Sequence, residues 1–360
     1  MISDRLLSIV RCADCRAELD AGLVCRHCGR RYEGSGDYLD MRPRKMFEEQ
    51  TKYLDEALHA DARHERVSPP LLGSRIRNDM LRAFLAPEPG ELVADLGCGS
   101  GRALLWNRDR GATMVGIDIA PFFSRDARRE MDLMLGDLRT LPFADGTFDK
   151  AWSLDVLEHL SPEALAGMLA EAARVLKPGG SLFVYTHVRK NAPIAAGLRW
   201  INKFAGVLDR WGLVDLRQEH LRKSDHLNPL RDIPHLEAVA DAAGFRIGRI
   251  RFYTPIVGGF VENILVRVAE RALARRARSR DPQLPAAPTS GRGVSPSRDI
   301  RLDEHDAAAV RAVRAKAKTR IAAGGPTYLA LRALSFVMKL DLLLFGRITS
   351  GPFFALLVKK

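Results

Sequence analysis

The stretch Glu91-Leu92-Val93-Ala94-Asp95-Leu96-Gly97-Cys98-Gly99-Ser100-Gly101 decides the fold. A short apolar run leading into glycines predicts a buried strand that ends in a tight turn. Glycine in such a turn lets backbone approach a ligand where a Cβ would collide. Working outward, the same pattern recurs. Further strands are predicted at 113–119 (TMVGIDI), 131–138 (MDLMLGDL), 148–154 (FDKAWSL), 181–187 (SLFVYTH) and 244–253 (GFRIGRIRFY). A helix lies between the fourth and fifth strands. Ser161 caps it, Pro162 occupies its first turn, and Lys177-Pro178-Gly179-Gly180 stops it. Strands alternating with helices predict an α/β, Rossmann-like parallel sheet covered on both faces.

The glycine turn alone does not select a ligand, because nicotinamide-binding folds use a similar one. Here the glycines run G-x-G-x-G, and Arg102 stands where the dinucleotide fingerprint has its third glycine. Acidic residues also close successive strands: Asp95 the first, Asp118 the second, Asp137 the third. One such Asp could merely cap a turn. Three in register converge on one crevice, since ligands of open α/β sheets bind at the carboxyl ends of strands. Asp118 can accept two ribose hydroxyls, and Asp137 an adenine amino group. Together these features favour S-adenosylmethionine.

The segments ADLGCGSGRAL, VGIDIA, GDLRTLPFADGTFD, WSLDVLEHL and LKPGGSLFVYT resemble the successive motifs of class I S-adenosylmethionine-dependent methyltransferases, in the subgroup that includes the quinone-biosynthesis enzymes. The resemblance is strong over 91–187 and loose over 220–255. It implies a seven-stranded sheet with an antiparallel last strand, for which SGPFFALLVKK at the C-terminus is the candidate. It also implies that Gly97, Gly99 and Gly101 face the methionine moiety and that Asp95 orients the amino-acid end. Asp118 is assigned to the ribose, and Asp137 with the Leu138 backbone to adenine. Cys98 is read as a packing residue within the loop.

Methyl transfer is a displacement at a carbon already activated by a sulfonium, so alignment and water exclusion are the main tasks. A base is needed only where the acceptor must lose a proton. Asp155, Glu158 and His159 follow the fourth strand, and His187 ends the fifth. His220, Asp225, His226 and His235 lie in the insertion that follows. His159, His187 and His226 are the candidate catalytic residues. Glu158 reads equally well as a helix-capping residue.

Four of the five cysteines, Cys12, Cys15, Cys25 and Cys28, form two C-x2-C pairs within the first 28 residues. Each pair can turn two thiolates toward one ion, and two pairs complete the tetrahedral sulfur site that Zn2+ accepts. Residues 1–41 are therefore expected to be a structural zinc ribbon. Residues 42–90 follow as a helical linker or lid, with helices at 44–60 and 70–86. The methyltransferase core spans 91–255, with a lid insertion at 192–235. A basic, partly disordered helical insertion covers 256–350, and a last core strand 351–360. Within that insertion, 256–280 reads as an amphipathic helix, 281–297 as a tether rich in Pro, Ser and Gly, and 327–346 as an apolar helix.

The chain has 360 residues and a net charge of +12. Fourteen basic against six acidic residues between Arg267 and Arg320 supply +8 of it. Such a balance suggests an anionic partner. Neither a leader peptide nor a run of about 18 apolar residues is evident, so a cytoplasmic protein is expected, with peripheral membrane contact as a further expectation. Three functions are compatible with these features. The favoured one is methylation of a small or lipid-linked acceptor, such as a glycan, quinone precursor or secondary metabolite. Apolar faces at 192–213 and 327–346, carrying Trp200, Trp211, Phe336 and Phe345 beside basic residues, suit a bilayer interface or lipid tail, although such stripes also serve as the core of a lid. The second is methylation of ribosomal or transfer RNA, since a zinc ribbon before such a domain also resembles certain RNA methyltransferases. The ribbon lacks a dense Arg/Lys and aromatic surface, and no N/D-P-P-Y/F motif is present. The third is a binding module with a vestigial pocket, against which the intact loop and its acidic residues argue.

Overall fold

Strand β3 (Leu92–Leu96) is buried at all five positions and forms the middle of the sheet, as its apolar run requires. The computed structural model describes residues 2–34, 36–44, 67–189, 194–211, 213–214, 226–270 and 324–360, with Ala272 and Ile321. Most of the expected 44–60 helix, the 281–297 tether, His220 and Asp225 lie outside the described residues.

Parallel strands β4 (Thr113–Asp118) and β5 (Asp132–Leu135) extend the sheet on one side of β3. On the other side β6 (Phe148–Leu154) and β7 (Leu176–His187) follow, also parallel. The C-terminal strand β9 (Pro352–Lys359) inserts antiparallel between β7 and β8 (Phe245–Phe252). An antiparallel last strand built from the chain's final residues is therefore present. Because β7 and β8 both oppose β9, His187 and Phe252 lie at the same end of the strands.

The strand count differs from the seven expected. Two short strands, β1 (Glu33–Gly34) and β2 (Leu39–Asp40), form a hairpin whose second strand pairs parallel with β5, which gives nine. The cysteine module is thereby fused to the sheet edge. Its Leu6, Val10, Cys12, Cys25 and Tyr32 share one apolar cluster with Leu165 and Met168 of α5 (Pro162–Val175) and with Leu236 of the later helix α7 (Ile233–Ala242). Arg16 ties the module to α5 through Glu171 at 2.8 Å.

The two faces of the sheet separate by the period-2 rule. On β9, Phe353, Ala355 and Leu357 face that first cluster, and Phe354 faces a second one. The second cluster is covered by α2 (Gly73–Phe84) and α3 (Arg102–Asn107), with Val261 and Met338 from the segment between β8 and β9. Short helices α1 (Asp4–Ile9) and α4 (Arg125–Glu130) flank the N-terminal edge and the end of β4.

Helix α6 (Ala195–Arg210) follows β7 within the expected lid insertion. After β8 the expected 256–280 helix begins as α8 (Ile256–Phe260) and becomes a π-helix over Val261–Val266. The single helix expected at 327–346 is two, α9 (Pro326–Met338) and α10 (Leu340–Phe345). They meet at Lys339, and the Asp341 carboxylate near the start of α10 is buried. It is drawn inward to accept the backbone N–H groups of Val257 at 2.9 Å and Gly258 at 2.7 Å. Ser335 of α9 accepts the Leu72 N–H at 2.6 Å, and Glu262 accepts that of Gly73 at 3.0 Å, so these helices clamp the start of α2.

Candidate functional site

The turn after β3 folds back on β4: Gly97 and Cys98 both donate N–H to the Ile117 carbonyl, at 2.9 and 3.0 Å. The three glycines are needed for different reasons. A Cβ on Gly97 would stand 2.4 Å from Val156, and one on Gly101 2.6 Å from Ala127, with φ of 84° and 76°. Both are glycine because protein atoms approach them. Gly99, at φ 52°, has nothing within 4 Å of where a Cβ would project, so it faces open space at the mouth of the turn. Cys98 is buried, with Sγ against Gly116, and burial pushes its thiol well above the usual range. A packing role accounts for it.

Asp118 closes β4 and holds the turn. Its Oδ2 accepts the Gly99 N–H at 2.8 Å and its Oδ1 that of Ala120 at 3.0 Å. Burial raises its pKa, and these donors offset part of the rise. Asp95 is only 2% exposed, and its Oδ2 has no hydrogen-bond partner among the described residues. Burial pushes its carboxyl up to about 8, with the Trp152 indole opposing and the Asp118 charge reinforcing the shift. A buried carboxylate oxygen without a donor is expensive unless a cation or donor meets it. Asp137, by contrast, is already engaged. Arg139 forks onto it, Nε to Oδ1 at 2.9 Å and Nη2 to Oδ2 at 2.8 Å, and the Arg139 N–H also donates to Oδ1 at 2.9 Å. Any further donor at Asp137 shares it with Arg139. Leu138 lies between them in the turn.

The three candidate histidines come together at the ends of β6 and β7. Rings of His159 and His226 are 4.7 Å apart at 84°, and those of His187 and His226 are 5.3 Å apart. His187 Nε2 lies 3.5 Å from His226 Nδ1 and 3.8 Å from Glu158 Oε1. Glu158 is 1% exposed, so it does not solvate the next helix; Thr186 Oγ1 donates to its Oε2 at 2.9 Å. Burial pushes its carboxyl up to about 8, the Asp155 charge adding to the shift. Asp155 itself adopts φ 56°, a left-handed conformation uncommon outside glycine and frequent at functional turns. His235 stands apart from this cluster. Its N–H is capped by Asp232 at 3.0 Å at the start of α7.

Sequence reasoning missed Arg77 and Tyr185. Arg77, on α2, reaches Asp155 at 3.4 Å and lies over the Tyr185 ring at 5.4 Å. No motif announces Arg77, because α2 lies outside the repeating strand–helix pattern.

The four cysteine sulfurs converge in the N-terminal module, all within 4.8 Å of one another. Cys12 and Cys28 are 3.6 Å apart, and Cys15 and Cys25 3.5 Å; none is disulfide-bonded. Two sulfurs each about 2.3 Å from a tetrahedral ion stand about 3.8 Å apart, close to these separations. Cys28 N–H donates to Cys25 Sγ at 3.4 Å, and the Tyr32 hydroxyl lies 3.1 Å from Cys12 Sγ while accepting the Ala13 N–H. Such outer contacts orient thiolate ligands.

Residues 94–184 match the family model described as a methyltransferase domain. The chain is 43% identical over 104 residues to a demethylmenaquinone methyltransferase of Corynebacterium kroppenstedtii, covering 29% of this chain and 44% of that protein. It is 39% identical over 108 residues to a probable tRNA methyltransferase 9B of Mus musculus, covering 29% and 24%. It is 34% identical over 143 residues to a 37.1 kDa transposon protein of Streptomyces fradiae, covering 37% and 38%. The chain thus spans less than half the length of each of these relatives.

Proposed function

We propose that this chain, a member of the class I S-adenosylmethionine-dependent methyltransferases through the domain at its centre, transfers a methyl group to a small or lipid-linked acceptor. The observation that carries the cofactor assignment is the convergence of Asp95, Gly99 and Asp118 at the ends of two adjacent strands, with an unmet buried oxygen on Asp95. Asp95 meets the cationic amino group of the cofactor, which restores its charged form. Asp118 accepts the ribose hydroxyls, and Gly99 leaves room for the methionine part alongside Gly97 and Gly101. Asp137, shared with Arg139, and the Leu138 backbone address adenine. The cofactor supplies a methyl group already activated on a sulfonium. The protein's work is to align it, exclude water, and handle the acceptor's proton. His159, His187 and His226 are assigned to that last task, by taking the proton or by weakening the acceptor's hold on it.

Cys12, Cys15, Cys25 and Cys28 hold a structural Zn2+, which fastens the N-terminal module to the sheet edge and leaves chemistry to the crevice. In domain terms, 1–41 is the ribbon, 42–90 the linker, 91–255 the core, 256–350 the insertion and 351–360 the final strand.

A lipid-linked acceptor is supported by the cap that follows β7 and β8. Trp200, Trp211, Phe336 and Leu343 are each at least 70% exposed there. Exposed Arg199, Lys203, Arg332 and Arg347 lie among them in sequence. No helix among the described residues is long and apolar enough to cross a membrane, so such a cap would rest at the interface. A second reading, methylation of an RNA base, has in its favour the basic chain and the similarity to a protein named as a tRNA methyltransferase.

Methyl-labelled S-adenosylmethionine, added to cell extract with the full-length protein, separates the two. Label in the organic-soluble fraction supports a lipid-linked acceptor. Label in RNA that survives protease and is released by ribonuclease overturns it.

A further inference from the structure

The geometry points to a second metal site, separate from the cysteines, in which Glu158, His159 and His226 bind a divalent transition-metal ion at the acceptor side of the crevice. One ligand atom from each of the three lies within 4.8 Å of the others. Glu158 arrives oriented: Thr186 Oγ1 holds Oε2 at 2.9 Å, and the carboxylate is almost wholly buried. His187 completes the ring of polar groups, 3.8 Å from Glu158 Oε1 and 3.5 Å from His226 Nδ1.

Ligands about 2.1 Å from a common ion stand about 3–3.5 Å apart along the edges of its coordination shell, and three ligand atoms already within 4.8 Å of one another reach that spacing by small side-chain rotations. Two imidazoles and one carboxylate suit Zn2+ and leave a coordination position open, the arrangement of a reactive site and not of a structural one.

Placement gives the open position a purpose. Glu158 and His159 lie in the turn after β6, and Val156 of that turn packs on Gly97 of the glycine loop. The ion therefore sits beside the cofactor cradle, between the ends of β6 and β7. An acceptor oxygen or sulfur bound there loses its proton more readily, with His187 adjacent to receive it. The class of ligand is a hydroxyl, phenol, thiol or phosphate-bearing group. This role rests on the methyl-transfer reading, whereas metal binding does not.

The test counts metal. Full-length protein, dialysed against Zn2+ and then against metal-free buffer, is analysed by mass spectrometry for zinc per chain. Wild type is expected to retain one more equivalent than His226→Ala or Glu158→Gln, and the Cys12→Ser/Cys25→Ser chain to retain that equivalent. Glu158→Gln keeps the side chain's shape, which guards against loss by misfolding. An equal count in wild type and both variants overturns the site. Affinity for S-adenosylmethionine is measured on the same samples and fails independently. Absence of cofactor binding sinks the methyltransferase reading whatever the metal count.

Discussion

Asp95 is the residue at which folding and the proposed function oppose each other. Its carboxyl, raised to about 8, keeps a proton in the folded protein that the unfolded chain releases near pH 4. Between those values the folded state binds more protons, so stability falls as pH rises and levels off above about 8. Asp95→Asn removes this contribution. Without ligand, it should melt higher than wild type at pH 8, and the gap should close toward pH 4; thermal melts across that range measure it. Asp118 and Glu158 share the direction of shift, so the slope should shrink and not vanish. A parallel pH profile in wild type and variant would contradict the burial argument. At this scale the sequence was informative where a residue's neighbours are local. Asp95 and Asp118 were legible because strand-end carboxylates around a glycine turn imply one crevice. The Arg139 fork on Asp137 was within reach of the same reading, being two residues away, but the role assigned by resemblance obscured it. Arg77 was not legible, because only folding brings α2 to β7.

Among the elements, the glycine turn makes the sharpest prediction, because its glycines do different things. Gly101→Ala places a Cβ 2.6 Å from Ala127 at φ 76°. Overpacking of about 1–3 kcal/mol is added to a left-handed backbone cost of about 1–2 kcal/mol. Gly99→Ala bears only the backbone cost, yet its methyl would intrude on the proposed cofactor cradle. Denaturant unfolding should therefore rank Gly101→Ala as the less stable, while calorimetry finds weakened cofactor binding in a folded Gly99→Ala. The reverse ranking would mean that the turn packs differently. Of the elements, the six internal strands and the C-terminal one were legible from apolar runs bounded by turns. Strands β1 and β2 were not, since two residues carry no alternation to read. The docking of α10 was also hidden, since its Asp341 finds the N–H groups of Val257 and Gly258, more than 80 residues away.

On the scale of the whole molecule, the N-terminal module expected as a zinc ribbon shares its apolar residues Leu6, Val10 and Tyr32 with the core around α5, a long-range contact that composition does not announce. The cap raises the opposite question, since its apolar residues are exposed. If it rests on anionic lipid, the full-length protein should sediment with vesicles containing phosphatidylserine and do so less as salt rises, each basic residue near the surface adding about 1 kcal/mol. Replacing Trp200, Phe336 and Leu343 together with serine should abolish most of that binding without lowering the melting temperature, because all three are at least 73% exposed. Unchanged sedimentation of that variant would remove the cap from the account.

Binding of S-adenosylmethionine in the strand-end crevice is read most directly by calorimetric titration of the full-length protein. One site per chain is expected, with Asp118→Ala weakened by about 1.5–3 kcal/mol while remaining folded, the loss expected for a charged hydrogen-bonding group. A folded wild-type protein that gives no binding heat at any temperature tried, or an Asp118→Ala variant with undiminished affinity, would contradict it.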